Sequence, residues 1–197
     1  MFKRYMILAM LTLCFTSGTF ALRTAMEQRD LAAHLIRLHV VAASDDPADQ
    51  SRKLRVRDAL LPRIAALTAD CYDAQAAAAA LQAGLPELQQ SAFATLGTGE
   101  PVTVSLREEI FPRRDYDSFS LPAGTYRALR VVLGAGQGHN WWCVAFPALC
   151  LPAEPEESFS ERAAAAGLSE AEIALVSSDT ADVHIKFRLL DWISEIF

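Results

Sequence analysis

Residues 126–146, YRALRVVLGAGQGHNWWCVAF, decide how this chain folds. Two β-rich runs, 126–133 and 139–146, flank a short segment with glycine at 134, 136 and 138. Their β-branched and aromatic content, bounded by turn residues, predicts two strands, the first of them central to a sheet. The glycines predict a tight turn with positive φ. A nucleotide-binding loop does not fit. The dinucleotide pattern needs its last glycine three positions after the second and a helix to follow, and a P-loop needs Gly-Lys-Ser/Thr.

Upstream, residues 35–42 (LIRLHVVA) read as another strand. Ile36, Leu38 and Val40 share one face, and Arg37 and His39 share the other. Asp46 then caps a helix that starts with Pro47 and runs to about residue 67. Pro62 should kink or break that helix. Asp73 opens a second helix through the alanine run 76–80. Gly84 should interrupt it, Pro86 should restart it, and Gly97 should stop it. Val102, Val104, Leu106 and Ile110 alternate with polar residues in a half-buried strand. Residues 111–119 (FPRRDYDSF) read as a polar, aromatic-bearing loop, and 121–124 as a turn. Downstream come a Pro/Glu-rich link at 152–157, a helix around 169–176, a strand at 183–189 and a short helix at 191–197. Strands and helices that mix without regular alternation predict an α+β fold: one domain, 35–197, with a mixed β-sheet packed against several helices.

The 197 residues are 52% hydrophobic, enough for a sizeable core. The net charge of −6 argues against a nucleic-acid partner, which requires clustered cations. At the N-terminus, Lys3 and Arg4 precede an apolar run of about 11 residues, 5–15, and Thr19-Phe20-Ala21 resembles a small-x-small cleavage site. Residues 1–22 are therefore expected to be a signal peptide or membrane anchor. Residues 23–34 are expected to connect this segment to the domain. The leader is expected to put the protein outside the cytoplasm, where disulfides persist, a buried N-terminal helix being the alternative. Cys143 and Cys150 enclose six residues including Pro147, and a bridge between them is expected; two buried free thiols are the alternative.

Candidate chemistry is sparse. His39, His139 and the other two histidines lack metal-ligand spacing, and no cofactor motif is present. Asp45, Asp46 and Asp49 suggest calcium, but helix capping explains Asp46 more simply. His139, Asn140 and Cys143 are the one enzyme-like set, since a thiolate nucleophile needs an imidazole and a group to orient it. On a strand, however, His139 and Cys143 lie roughly 13 Å apart, and oxidation would remove the nucleophile. Arg52, Lys53, Arg55, Arg57 and Arg63 make the first helix basic: a solvated face, or one that meets anionic lipid or an acidic receptor loop. Of Trp141 and Trp142, one should face the core and the other should not. An outward tryptophan beside a glycine turn makes a good protein anchor, although both could instead pack beneath a flanking helix.

Three blocks together resemble the stage II sporulation protein R family of endospore-forming bacteria. The first is residues 36–45 (IRLHVVAASD), with Asp49-Gln50 and Lys53-Leu54-x-Val56-Arg57-Asp58. The second is Phe111-Pro112 through Tyr116, then Leu121-Pro122-Ala123-Gly124-x-Tyr126-x-Ala128-Leu129-Arg130-Val131. The third is Gly136-x-Gly138-His139-Asn140-Trp141-Trp142-Cys143-Val144-x-Phe146-Pro147-x-Leu149-Cys150. Ala43 and Asp117 depart from the family pattern, where Asn and Gly are expected.

The resemblance implies a protein exported from the forespore into the space between the forespore and mother-cell membranes, secreted or held there by its N-terminus. There it triggers a membrane-embedded aspartic protease that processes the pro-form of the mother-cell sigma factor, sigma E. This is a signalling role, without catalysis or cofactor. The contact residues expected are Arg37, His39, Gly136, Gly138, His139, Asn140, Trp141 and Trp142. Two other readings compete: an exported Cys/His hydrolase or transpeptidase acting on the cell wall, and a membrane-anchored structural protein of the intermembrane space.

Overall fold

The structure, a computed structural model, describes residues 2–116, 119–149 and 159–177. Its elements in order are α1 (Phe2–Ala33), β1 (Ile36–Val41), α2 (Pro47–Thr68), α3 (Ala74–Leu96), β2 (Val102–Phe111), β3 (Arg114–Asp115), β4 (Ser120–Leu121), β5 (Gly124–Leu133), β6 (Asn140–Phe146), α4 (Phe159–Ala165) and α5 (Glu170–Val176). The expected link at 152–157, strand at 183–189 and terminal helix at 191–197 lie outside the described residues.

The fold is α+β, with a mixed four-stranded sheet in the order β2-β5-β1-β6. β5 is central, as expected. It runs parallel to β1, with Leu38 opposite Leu129, and antiparallel to β2. β1 pairs with β6 in antiparallel fashion, with His39 opposite Trp142. A two-stranded hairpin, β3-β4, stands in the segment expected to be loop and turn.

Alternation along the strands sorts the sheet into two faces. Leu38, Val40, Leu129 and Val131 are fully buried on one of them. They form one core with Val56, Leu60 and Ile64 of α2 and Ala77, Leu81 and Leu88 of α3. Asp46 caps α2 by accepting from the Ala48 N–H at 2.8 Å, and Pro47 takes the first turn. Asp73 caps α3, and Gly97 ends it at φ +69°.

Neither helix breaks where its proline predicts. Pro62 lies inside α2 and Pro86 inside α3. Both prolines are exposed, as are Asp58 and Gln82 four residues back, so the carbonyl that each proline leaves without a donor remains open to water. Gly84 does not interrupt α3 either. It is buried, and a Cβ there would lie 2.6 Å from Leu67 Cδ1, so the glycine lets the two helices approach closely.

The stretch expected to be a connector, residues 23–34, is almost wholly the second half of α1. Leu31, in its last turn, is fully buried in the core. The first half exposes Tyr5, Met6, Ile7, Met10, Leu11, Leu13, Phe15 and Phe20. Among the described residues, no helix is long and apolar enough to cross a membrane.

Candidate functional site

The second face of the sheet was expected to be the polar side of β1, yet it is buried too. Arg37 is 0% exposed and His39 6%. The Arg37 guanidinium lies 4.2 Å from the Phe111 ring centroid and 5.1 Å from that of Tyr126, and donates to the Tyr116 hydroxyl at 2.6 Å. His39 Nδ1 bonds Glu109 Oε2 at 2.9 Å. Glu109 also accepts from Arg130 and Arg107. Burial alone would raise the Glu109 pKa, but His39 and the two arginines hold it below the ordinary carboxylate value. The hairpin and α4 cover this face with a stack of rings, Tyr116 on Phe119 at 4.5 Å and Phe119 on Phe159 at 5.0 Å. Arg37 and His39 are therefore not surface contact residues. They support what lies above them.

Above them is a cleft of about 650 Å³, lined by Asp45, Arg114–Tyr116 and residues 137–142. Close backbone docking builds its floor. Gln137 N–H donates to the Ala43 carbonyl at 3.1 Å and Gly138 N–H to the Ala42 carbonyl at 3.0 Å. A Cβ on Gly138 would sit 2.1 Å from the Ser44 carbonyl oxygen, so only glycine fits there. Gly136 adopts φ +62°, the positive-φ turn expected of it. His139 N–H donates to Asp45 Oδ1 at 2.6 Å, and its ring meets the same oxygen. These bonds, led by the backbone one, lower the Asp45 pKa. From below, buried Lys53 donates to the His139 carbonyl at 2.9 Å and to Gln50 Oε1 at 2.7 Å.

The two tryptophans lie on opposite faces, and each carries an arginine. Arg57 of α2 stands 4.9 Å from the Trp141 ring centroid and Arg114 of β3 3.7 Å from that of Trp142. Both rings are half-buried, so the expected division into one inward and one outward tryptophan gives way to two partly covered ones.

The structure thus gathers Gly138, His139, Asn140, Trp141 and Trp142 at one cleft. Gly136 shapes the turn behind it. Sequence reasoning missed Asp45, Arg114, Asp115 and Tyr116 as cleft residues. The signal for them was present, since the first and second blocks of the resemblance contain all four.

The basic face of α2 is largely neutralised. Arg52 pairs with Asp49 at 2.6 Å, Arg57 with Asp58 at 2.6 Å, and Arg63 with Glu87 at 3.0 Å. Lys53 is not on that face at all, because it is buried under the glycine turn. Among the described residues no group of His, Cys, Asp and Glu side chains could hold a metal ion. Asp49 instead accepts from Ser44 at 2.6 Å as well as pairing with Arg52. Cys143 is buried, and the free cysteines among the described residues are Cys14 and Cys71. Cys150 lies outside the described residues, and so does the geometry of the expected bridge.

The family described as Stage II sporulation protein R (spore_II_R) matches residues 32–155, from the last turn of α1 past β6 and across the whole cleft. The chain belongs to the stage II sporulation protein R family. It is similar to "Stage II sporulation protein R" of Bacillus subtilis (strain 168), at 30% identity over 181 residues, covering 82% of this chain and 81% of that protein. No solved structure matches the chain. Membership places the protein in sporulation.

Proposed function

We propose that this chain is an exported signalling ligand of sporulation, and that the cleft formed by Trp142, His139 and the β3 strand contacts a membrane-embedded aspartic protease and triggers processing of pro-sigma E. The observation that carries this reading is convergence. The first sequence block that resembles the family ends at residue 58, far before the second at 111–131 and the third that follows it closely, yet Asp45, Tyr116 and residues 138–142 line one cleft. A surface assembled from all three fits recognition, and its half-buried tryptophans and arginines are the residue types that dominate protein interfaces. Signalling then works by differential affinity, the ligand favouring an active state of the protease.

Export to the intermembrane space, secreted or N-terminally held, is supported by the basic, apolar N-terminus and by the apolar surface that α1 leaves uncovered. A bridge from Cys143 to Cys150 is supported by Cys143 being engaged rather than free. The same fact weighs against the hydrolase or transpeptidase alternative. Cys143 is buried within β6, and the His139 ring is turned to Asp45.

The test mixes the purified full chain with membranes carrying the protease and pro-sigma E, and follows cleavage. Cleavage should require the chain and be lost with Trp142→Ala while thermal unfolding stays cooperative. Cleavage independent of the chain, or unaffected by a folded Trp142→Ala variant, would overturn the reading.

A further inference from the structure

Among the described residues, the floor of the cleft holds cationic and donor groups that lack an acceptor. Arg114 lines it, its guanidinium carbon over the Trp142 ring at 3.7 Å from the centroid. Among the described residues no carboxylate pairs with Arg114, and its Nε is buried without a hydrogen-bond partner. Directly beneath, Arg37 is fully buried and also without a carboxylate. Its Nε and Nη1 have no partner, and Nη2 donates to Tyr116. Because Tyr116 accepts that bond, its own O–H proton is left to donate elsewhere, and no acceptor for it is present among the described residues. Burial lowers the Arg37 pKa; Tyr116 and Tyr126 oppose the shift, and the Arg114 charge adds to it. Two guanidiniums that repel each other under partial burial, with a phenol donor between them, leave a negative charge missing.

We propose that this cleft is a carboxylate-binding site, in which Arg114 and the Tyr116 hydroxyl, backed by Arg37, receive an Asp or Glu side chain of the protein partner. The inference rests on the signalling reading above and specifies the chemistry of the contact. A planar carboxylate matches the donor fork of a guanidinium held over the Trp142 ring. Half-buried Trp141 and Trp142 supply walls for the aliphatic stem and backbone of a peptide. The acidic residues on the rim are turned to other partners, Asp45 to His139 and Asp115 to Arg113 at 3.1 Å, so neither makes a direct pair with Arg114, although their charge remains. They do disfavour a multiply charged phosphate, as does the net charge of −6.

The test titrates the full chain with the capped peptide acetyl-Gly-Glu-Gly-amide and follows tryptophan fluorescence, with the Gln peptide and inorganic phosphate as comparisons. A saturable response to the Glu peptide alone is expected. Arg114→Gln should weaken it about tenfold or more, the loss expected for one charge-assisted contact, and Arg114→Lys should weaken it less. No saturable response, equal binding of the Gln peptide, or tighter binding of phosphate would overturn the proposal. In the processing assay Arg114→Glu should abolish cleavage, while Arg55→Glu, the same charge change outside the cleft, should not. If Glu-peptide binding is absent yet Trp142→Ala still abolishes cleavage, the carboxylate site fails and the signalling reading stands. If the peptide binds and Arg114→Glu leaves cleavage intact, the site stands and the signalling reading fails.

Discussion

Both faces of the β-sheet bury side chains of β1, and they are built oppositely. One packs Leu38, Val40, Leu129 and Val131 against two helices, and all four are fully buried. The other buries Arg37 and His39 among Phe111, Tyr126, Glu109 and Arg130, beneath a hairpin whose strands are two residues each. Apolar burial contributes stability in proportion to area, whereas burying a cation without a counter-ion costs free energy. The comparison teaches a division of labour, in which the helix face holds the fold and the hairpin face sets the chemistry of the cleft.

Neighbouring residues of β1 separate the two faces most strongly. Leu38→Ala should cost about 2–5 kcal/mol in denaturant unfolding, through lost burial and a cavity. Arg37→Met should leave stability within about 1 kcal/mol of the parent or raise it, because an uncompensated buried charge is removed. An Arg37→Met loss as large as that of Leu38→Ala would mean that the guanidinium–ring arrangement holds the fold as well.

Gly138→Ala should cost about 1–3 kcal/mol, since the new methyl meets the Ser44 backbone and the turn must shift. Retention of full stability would show that the corner is soft. Glu109→Gln tests the ion network on the hairpin face. Glu109 has a folded pKa below its ordinary value, so its contribution is present above the unfolded value and is lost as pH falls through the lower folded one. Melting temperatures measured downward from neutral pH should therefore fall more steeply for the parent than for Glu109→Gln, with a difference of about 1 kcal/mol at neutral pH. Parallel pH profiles would remove Glu109 from the account. The smallest effect belongs to the helix face, where Asp46→Ala should cost roughly 0.5–1 kcal/mol through loss of the α2 cap, read from the unfolding midpoint.

Much of the helix face was legible in the sequence, because it is written in local signals. Asp46-Pro47 and Asp73 mark helix starts, Gly97 marks a stop, alternation marks β1 and β2, and β-branched and aromatic content marks β5. Gly84 and Pro86 misled because their local cost is outweighed by tertiary context, close helix contact for one and solvent exposure for the other. The hairpin face was harder to read. Arg37 and His39 look like an exposed polar side until a hairpin some 80 residues later folds over them, and strand alternation carries no information about that cover. The glycine turn and tryptophans could be found from their own composition. Arg114 and Tyr116 could not, since their place in the cleft depends on where the hairpin docks.

If the chain crosses a membrane N-terminus first, as the proposed export requires, the position of β1 sets an order of events. Its parallel partner, β5, begins roughly 90 residues later and β6 later still, so β1 waits between them as an unpaired strand. Sheet closure is therefore postponed until most of the polypeptide has passed, and slow passage should leave a long, extended intermediate that a transport channel can thread and a protease can cut.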